Sequence, residues 1–290
     1  MEQRDVVIVG GGPAGLAAAR RLVDLGIARV TVLEREPQAG GIPRHCGHLG
    51  FGWESHHRLW TGPVFAERLR QSVADLDVRT GTSVLAIGSN GVLAIRDRNG
   101  PGEIAAQRIL IATGTRETPR AARFIGGSRP ASVMTTGALQ QHVYLHNHAP
   151  FARPVILGSE LVSFSALLTC RHLGIRPAAI IEEDARTTAP WPAGPVARSV
   201  FGVPVWLRSH VVGILGSRSV EGVEIEREGQ RKRLACDGVI VTGRFVPERA
   251  VFAEGPQVFT AGNVNAPLKT SGRCWRDGRS AAERIAEALG

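Results

Sequence analysis

Cysteine is scarce in this sequence, and no two cysteines are close enough along the chain to form a C-x-x-C pair. The four residues are Cys46, Cys170, Cys236 and Cys274. Their spacing excludes a local redox dithiol and a local ligand set for zinc or an iron–sulfur cluster. Reduced thiols in an intracellular protein are the simplest interpretation, and we predict no metal site.

Long apolar runs are also missing, and no stretch approaches the length of a membrane-spanning helix. The first strand-like segment begins at about Arg4, which leaves no room before it for a signal or transit peptide. We therefore expect a cytoplasmic protein without a membrane span. The 290 residues, 43% of them hydrophobic, are sufficient for two globular domains.

Aromatic residues are few, with a single tyrosine, and no run of basic residues is interleaved with them. The net charge of +9 comes mostly from scattered arginines. Nucleic-acid-binding surfaces instead concentrate basic side chains in a patch and add aromatic stacking. We interpret the charge as a solvated surface and predict no nucleic-acid partner.

The chain does contain a glycine-rich turn between a strand and a helix. Residues 5–15 read DVVIVGGGPAG, in which the β-branched residues Val6–Val9 indicate a strand buried on both faces. Gly10 makes the tight turn, Gly12 lets the backbone approach a pyrophosphate, and Gly15 lets helix and strand pack closely. The N-terminus of the following helix offers unpaired N–H groups and the positive end of its dipole to phosphates.

An acidic residue follows at the distance that ribose recognition requires. The helix stops at Gly26, and a second strand over residues 29–33 (RVTVL) leads into Glu34. Glu34 lies 19 residues beyond Gly15, where a carboxylate can accept hydrogen bonds from ribose hydroxyls. Strand, turn, helix, second strand and acid together predict a dinucleotide-binding site.

Two further segments run into glycine after an apolar stretch. Residues 108–114 read RILIATG, and residues 257–262 read QVFTAG and are followed by Asn263. Each apolar stretch indicates a strand, and residues 278–289 (GRSAAERIAEAL) have the spacing of a helix.

Together these segments resemble the two-dinucleotide-binding-domain flavoproteins, the large group that includes thioredoxin and glutathione reductases. The resemblance implies an α/β fold of two Rossmann-like, three-layer ββα/βαβ domains, like that of thioredoxin reductase. It implies an FAD-binding domain over residues 1–117 and 245–290, split by an inserted NAD(P)-type domain over residues 118–244. In that group the N-terminal glycines and acid hold the ADP half of FAD, and a C-terminal A-G-D segment contacts the ribityl–phosphate region.

The resemblance also implies which residues bind FAD. Asn263 departs from the usual aspartate but keeps a hydrogen-bonding side chain. The full set of expected FAD-binding residues is Gly10, Gly12, Pro13, Ala14, Gly15, Glu34, Arg35, Gly41, Ile42, His45, Val84, Thr113, Gly114, Gly262 and Asn263.

A second copy of the first pattern lies in the middle of the chain. Residues 154–174 read PVILGSELVSFSALLTCRHLG and align without gaps to the first pattern. In this alignment Gly10 falls on Gly158 and Glu34 falls on Glu182, an offset of 148 residues. We predict a second βαβ unit of the same design.

Two glycines of the second pattern are replaced. Ser163 stands at the packing position, which is a mild change. Glu160 stands at the phosphate-approach position, where its carboxylate takes up space, takes the favourable helix-dipole interaction and repels a phosphate. Further negative charge at the ribose end comes from Glu182, Glu183 and Asp184. The pattern favours a domain kept for its shape or for another ligand; the alternative is that NAD(P)H still binds, with the Glu160 side chain turned outward.

The segment after Glu34 bears on redox chemistry. In the disulfide reductases the matching segment carries a redox-active cysteine pair beside the flavin, and only Cys46 is present here. One interpretation of His45, Cys46 and His48 is a cluster that flanks the flavin ring; the alternative for the two histidines is a hydrogen-bonded structural role. Cys46 is either a small buried residue or a nucleophile with a lowered pKa. A metal on this cluster is not predicted because no fourth ligand is nearby, and the sequence assigns no catalytic residue.

Three runs, GGIPRHCGHLGFGW, GSELVSFSALLT and AGNVNAPLKTSGRCW, resemble one branch of the flavoprotein group. The branch contains the FAD-binding subunits of hetero-oligomeric hydrogen cyanide synthase, opine oxidase and D-hydroxyproline dehydrogenase. It implies a dehydrogenase subunit that exchanges electrons with a second flavoprotein subunit, which oxidises an amino or imino acid.

Subunits of that branch usually continue into a cysteine-rich iron–sulfur region, which this sequence does not show. Either the cluster lies on a further small polypeptide, or the protein works alone in another way. Two alternatives stay open: a stand-alone NAD(P)H-dependent flavin reductase, and a non-catalytic subunit that holds FAD for assembly.

Overall fold

The computed structural model describes residues 1–251 and 253–290. The strands in chain order are β1 (Glu2–Val9), β2 (Val30–Leu33), β3 (Leu49–Phe51), β4 (Trp60–Thr61), β5 (Asp77–Arg79), β6 (Ser83–Ile87), β7 (Val92–Asp97), β8 (Gly100–Ile111), β9 (Thr115–Glu117), β10 (Gly126–Gly127), β11 (Val133–Thr135), β12 (Pro154–Leu157), β13 (Ala179–Ile181), β14 (Val205–Trp206), β15 (Ser209–Leu215), β16 (Gly222–Arg227), β17 (Gln230–Leu234), β18 (Gly238–Val241), β19 (Phe245–Pro247) and β20 (Val258–Thr260). The α-helices are α1 (Pro13–Asp24), α2 (Trp53–His56), α3 (Gly62–Gln71), α4 (Thr136–His146), α5 (Leu161–His172), α6 (Ala193–Phe201) and α7 (Ser271–Leu289).

Contacts between residues divide the chain into two compact units. The first unit consists of Met1–Arg44, Leu49–Arg116 and Phe245–Gly290. The second unit consists of His45–His48 and Glu117–Arg244.

The first unit is built on a mixed sheet with strand order β5-β2-β1-β8-β7-β6, and β20 pairs with β8. Strands β5, β2, β1, β8 and β20 run parallel to one another. Strand β7 pairs antiparallel with β8 on one side and with β6 on the other. Val6 and Ile8 face a cluster formed with α1 and α7, and Val7 and Val9 face a cluster formed with β7 and β8. The four residues of this apolar run are therefore buried on both faces of the sheet, as predicted.

The second unit is built on a parallel sheet with strand order β11-β18-β12-β13-β14. Ile156 and Ile240 face a cluster that includes residues of α4 and α5. Val155 and Val239 face residues of the four-stranded sheet β10-β15-β16-β17. Helices, the parallel sheet and the mixed four-stranded sheet form three layers, and the predicted α/β class is confirmed.

The predicted second βαβ segment is present in the second unit. Strands β1 and β12 end, and helices α1 and α5 begin and end, at positions related by the offset of 148 residues. In each unit the first glycine of the turn donates to the last residue of the neighbouring strand. Gly10 N–H donates to Leu33 O at 2.8 Å, and Gly158 N–H donates to Ile181 O at 2.8 Å.

The last helix starts earlier than the sequence predicts. Helix α7 begins at Ser271 because the Thr270 hydroxyl accepts the Arg273 N–H at 3.3 Å as an N-cap. Gly278 lies inside the helix, where a Cβ atom would be 2.0 Å from the Ala14 carbonyl oxygen. The glycine that suggested a helix start therefore allows α7 to pack closely on α1.

No helix among the described residues is long and apolar enough to cross a bilayer.

Candidate functional site

Glycine occupies three positions of the first turn for different structural reasons. Gly10 has a φ of +110°, and a Cβ atom there would be 2.5 Å from the Ala112 carbonyl oxygen. A Cβ on Gly15 would be 1.9 Å from the Gly10 carbonyl oxygen. Gly12 differs, because its Cβ would meet nothing closer than the Cα of Gly41 at 3.9 Å. The fold requires glycine at positions 10 and 15, whereas the missing side chain at position 12 leaves open space beside the backbone.

The N-terminus of α1 lies next to this open position. Gly12 is the N-cap, no side chain caps the helix, and the first turn carries no acidic residue. Pro13 has no N–H, so Ala14 and Gly15 provide the first N–H groups of the helix. An anion placed above Gly12 would meet these groups and the positive end of the helix dipole.

The Glu34 side chain is buried at the end of β2. Its Oε2 accepts the Gly11 N–H at 2.8 Å, and its Oε1 accepts the Glu36 N–H at 2.8 Å. A carboxylate has about four acceptor positions, so main-chain donors use about half of them. The carboxylate is fixed against the turn and can still accept ribose hydroxyls.

The loop after Glu34 returns to the turn. Gly40 N–H donates to Gly11 O at 2.7 Å. Gly41 has a φ of +64°, and a Cβ there would be 2.9 Å from the Gly12 Cα. Ile42 follows with an exposed side chain. Glycine at position 41 therefore lets this loop lie directly against the phosphate-approach position.

The two other glycine-terminated segments lie in the same unit. Thr113 Oγ1 donates to Glu248 O at 2.7 Å, and Gly114 O accepts the Glu248 N–H at 2.9 Å. A Cβ on Gly262 would be 3.0 Å from the Ala14 Cβ. Gly262 thus lies against the first turn of α1, and a Cβ on Gly10 would be 3.2 Å from the Thr113 N.

The Asn263 side chain bonds to Lys269, and its role in FAD binding stays a prediction. Its Oδ1 accepts the Lys269 N–H at 2.8 Å and its Nδ2 donates to Lys269 O at 3.2 Å, which closes the loop before α7. Sequence reasoning missed Asp277, whose Oδ2 accepts the Gly262 N–H at 2.7 Å and the Lys269 Nζ at 2.8 Å. An aspartate on an amphipathic helix gives no sign in the sequence that it orients a glycine loop.

Three further predicted site residues have other described surroundings. The Arg35 side chain is 68% exposed and is 4.0 Å from Glu36 in an ion pair. Val84 lies on β6 and packs against the core cluster of β7 and β8. His45 belongs to the second unit, not to the unit that contains the glycine-rich turn. Their predicted roles in FAD binding stay predictions.

Cys46 has the environment of a structural residue. It is buried, and its thiol donates to Gln140 Oε1 at 3.4 Å. Burial raises the pKa of the Cys46 thiol to about 12, so the nucleophilic thiolate is scarce near neutral pH. Among residues 1–251 and 253–290 no group of three His, Cys, Asp or Glu side chains could hold a metal ion.

All four thiols are expected to resist alkylation in the folded protein. All are buried, and burial raises the pKa to about 12 for Cys46 and Cys170 and to about 11 for Cys236 and Cys274. Because alkylation needs the thiolate, iodoacetamide at pH 8 should modify each folded-state cysteine more than about 100-fold more slowly than the unfolded chain. Mass spectrometry after labelling of the native and of the denatured protein measures the alkylation rate of each cysteine. Rapid labelling of Cys46 in the native protein would support the interpretation of Cys46 as a nucleophile.

The serine of the second turn is accommodated by a hydroxyl partner. Ser163 Oγ and Thr242 Oγ1 are 2.6 Å apart, and Thr242 Oγ1 donates to Leu157 O at 2.8 Å. Since Thr242 has used its proton, Ser163 is the donor of the first bond. We call these two residues the hydroxyl pair, and it explains why serine is tolerated where the first unit needs glycine.

The Glu160 carboxylate makes no capping hydrogen bond to its own helix. Glu160 is the N-cap of α5 but makes no side-chain capping bond. Its Oε1 accepts the Arg244 N–H at 3.2 Å, and a Cβ on Gly243 would be 1.2 Å from its Oε2. The side chain therefore lies along the end of β18, next to the end of β12.

Comparison with known proteins places these features in context. Residues 4–271 match the family described as pyridine nucleotide-disulphide oxidoreductase. The alpha subunit of sarcosine oxidase from Corynebacterium sp. (strain P-1) is 29% identical over 84% of this chain and 26% of its own length. An opine oxidase subunit of Rhizobium meliloti (strain 1021) is 27% identical over 70% of this chain and 42% of its own length.

The HcnB subunit of hydrogen cyanide synthase from Pseudomonas protegens is 28% identical over 61% of this chain and 38% of its own length. The chain thus spans less than half the length of these curated relatives. Among solved structures, thioredoxin reductase of T. acidophilum is similar in fold, with a TM-score of 0.82, 20% identity and 99% of each chain covered.

Proposed function

Because the chain belongs to the pyridine nucleotide-disulphide oxidoreductase family, we propose that it is the FAD-carrying, electron-transferring subunit of a hetero-oligomeric dehydrogenase. The substrate class is an amino or imino acid, which a second flavoprotein subunit oxidises. An iron–sulfur polypeptide is a further proposed partner. Four free, buried thiols fit a reducing compartment, and a cytoplasmic location is part of the proposal.

The open position at Gly12 carries the proposal. A Cβ there would contact nothing within 3.9 Å, although Gly10 and Gly15 on either side are tightly packed. Packing does not explain this glycine, whereas a pyrophosphate against the start of α1 does. Glu34 lies at the other end of the turn with acceptor positions for ribose hydroxyls. The residues fit the ADP half of FAD.

Each part of the site has a defined task in this proposal. The N–H groups of Ala14 and Gly15 bind the pyrophosphate, Glu34 binds the adenosine ribose, and Gly262 lets the C-terminal loop approach the cofactor. Asp277 orients that loop through the Gly262 N–H. Bound FAD supplies an acceptor for one or two electrons, and the protein supplies its position and surroundings.

Transfer through a partner protein is favoured over internal disulfide chemistry. The segment that carries a cysteine pair in disulfide reductases has only Cys46, whose pKa is raised to about 12 by burial. The matching relatives are named as subunits of a sarcosine oxidase, an opine oxidase and a hydrogen cyanide synthase. These names support a role as one of several subunits.

A stand-alone NAD(P)H-dependent flavin reductase is the second candidate. The observation in its favour is the second βαβ segment, which repeats the strand, turn and helix of the first. The side chain of Glu160 at the phosphate-approach position opposes it.

Anaerobic titration of the purified holoprotein discriminates between these functions. Millimolar NADH is expected to leave the flavin absorbance unchanged, because the second unit does not present a phosphate-binding turn. Dithionite, or a co-purified flavoprotein supplied with its amino- or imino-acid substrate, should bleach the flavin. The absorbance of bound flavin near its visible maximum measures both reactions.

Rapid bleaching at micromolar NADH would contradict the proposal and favour the reductase. Reduction by dithionite but by neither NADH nor any co-purified protein would favour a subunit that holds FAD only for assembly. A preparation from the native host without a second flavoprotein would also count against the proposal.

A further inference from the structure

The two acidic residues that end β2 and β13 occupy the same place in their units. Glu34 Oε1 accepts the Glu36 N–H at 2.8 Å, and Glu182 Oε1 accepts the Asp184 N–H at 3.1 Å. Both side chains are buried. Glu182 is therefore positioned as a ribose-binding carboxylate, and its other oxygen decides whether a ribose can use it.

That second oxygen has different partners in the two units. Glu34 Oε2 accepts only the main-chain N–H of Gly11 among the described contacts. Glu182 Oε2 instead accepts the Ser159 hydroxyl in a short hydrogen bond and the Thr188 hydroxyl at 3.3 Å. Two hydroxyl groups on one carboxylate are the same arrangement by which an acidic residue binds a ribose. The chain supplies from its own side chains the groups that a ribose would bring.

A loop holds these hydroxyls in place. Ser159 is fully buried, its Oγ accepts the Thr188 N–H at 2.8 Å, and its carbonyl accepts the Ala189 N–H at 2.8 Å. In the first unit the matching bond runs from Gly40 N–H to Gly11 O at 2.7 Å. The two loops thus cross their turns in the same way, but only the second one brings a hydroxyl to the carboxylate.

The residues of the first unit at these places have no hydroxyl. Gly11 matches Ser159 by the sequence offset. The equivalent hydrogen bonds match Gly40 with Ala189, one residue beyond that offset, so that Ala39 matches Thr188. A Cβ on Gly11 would be 3.1 Å from both the Ala39 Cβ and the Glu34 Oε2. The first unit therefore has little room for a side chain at position 11, whereas the second unit accommodates the Ser159 side chain at the matching position.

The phosphate end of the second turn is occupied as well. The Glu160 side chain runs from the start of α5 to the backbone of Gly243 and Arg244. Its Oε2 is buried and has no hydrogen-bond partner among the described residues. A phosphate approaching α5 would meet this carboxylate, and like charges at such distances repel.

We propose that Ser159, Glu160 and Thr188 are specificity residues that exclude an adenine dinucleotide from the second unit. Ser159 and Thr188 occupy the ribose-binding carboxylate, and Glu160 occupies the phosphate position. Under the proposed function, on which this consequence rests, electrons then reach the flavin from a partner protein and not from a nicotinamide bound to the second unit.

Binding of NADH and of ADP-ribose to the FAD-loaded protein tests the inference by calorimetry. The wild-type protein is expected to show no saturable binding of either compound at millimolar concentration. The triple variant S159G/E160G/T188A carries the residues found at the matching positions of the first unit, and we expect it to bind both compounds at least about tenfold more tightly. Thr187→Ala is the matched control, because Thr187 Oγ1 donates to Ala189 O at 3.2 Å and not to Glu182.

Two results would overturn the inference: saturable wild-type binding of NADH at micromolar concentration, or a folded triple variant whose affinity equals that of the Thr187→Ala control. If the triple variant unfolds at a lower temperature than wild type, the double variant E160G/T188A, which keeps the buried Ser159, replaces it. The double variant is expected to show a smaller gain in affinity. No gain in affinity would equally overturn the inference. These readouts are independent of the proposed function. A wild-type protein that binds no NADH and accepts electrons from no partner would refute the function and leave the inference standing.

Discussion

A Gly12→Glu variant is expected to bind FAD about 100-fold more weakly while it keeps its fold. Gly12 has a φ of −84°, which any residue can adopt, and its Cβ would point into open space. The new carboxylate would stand where the pyrophosphate approaches α1. Two like charges about 4 Å apart cost about 1 kcal/mol in water and about 4 kcal/mol near a protein surface, and the expected loss lies between these limits.

The second unit provides an internal precedent for this variant. Glu160 occupies the matching position there, and α5 forms with the same length as α1. Flavin content after purification and FAD affinity of the apoprotein measure the effect, and thermal unfolding of the apoprotein checks the fold. Gly12→Ala separates charge from volume: its methyl group takes up part of the space of the pyrophosphate but adds no charge, so its loss of affinity should be clearly smaller than that of the glutamate variant. Equal FAD affinity in the glutamate variant and in wild type would show that the pyrophosphate does not bind at this position.

A Gly15→Ala variant is expected to lower the free energy of unfolding by about 3 kcal/mol. The added methyl group would be 1.9 Å from the Gly10 carbonyl oxygen and 3.2 Å from the Ile8 side chain. Because that oxygen belongs to the backbone of a packed turn, α1 must move away from the sheet. The movement also disturbs the close packing of α1 on α7 at Gly278.

Urea unfolding of the apoprotein, followed by far-UV circular dichroism, measures the Gly15→Ala effect without a contribution from FAD. Gly12→Ala is again the matched control, since it adds the same methyl group three residues away in open space. A midpoint for Gly15→Ala equal to that of the control would show that α1 can move freely. The ordering expected is therefore wild type and Gly12→Ala close together, and Gly15→Ala far below.

Much of the first turn could be predicted because backbone geometry depends directly on residue type. Gly10 and Gly15 stand where any side chain would strike a carbonyl oxygen, so glycine marks them in the sequence. The gapless offset likewise located the second turn through Gly158 and Glu182. The membership of the flavoprotein family, inferred from these motifs, is confirmed, and relatives named as opine oxidase and hydrogen cyanide synthase subunits agree with the resemblance.

The remaining features depend on contacts between residues that are distant in sequence. The Asn263 side chain bonds both main-chain groups of Lys269, a contact that the sequence does not indicate. The Glu160 carboxylate also accepts the main-chain N–H of Arg244, a contact that the sequence does not indicate. Thr188 gave no signal, because a threonine in a polar loop has no periodicity that would indicate its acceptor.

The hydroxyl pair couples two positions in the evolution of the second unit. Replacing Thr242 alone would leave the Ser163 hydroxyl buried without its acceptor, and replacing Ser163 alone would leave a small void beside Thr242. Each single step is therefore costly, although a simultaneous change at both positions need not be. Single substitutions that would return the second turn to the glycine pattern are therefore disfavoured once both hydroxyl groups are present. The difference between the two turns is easier to keep than to reverse.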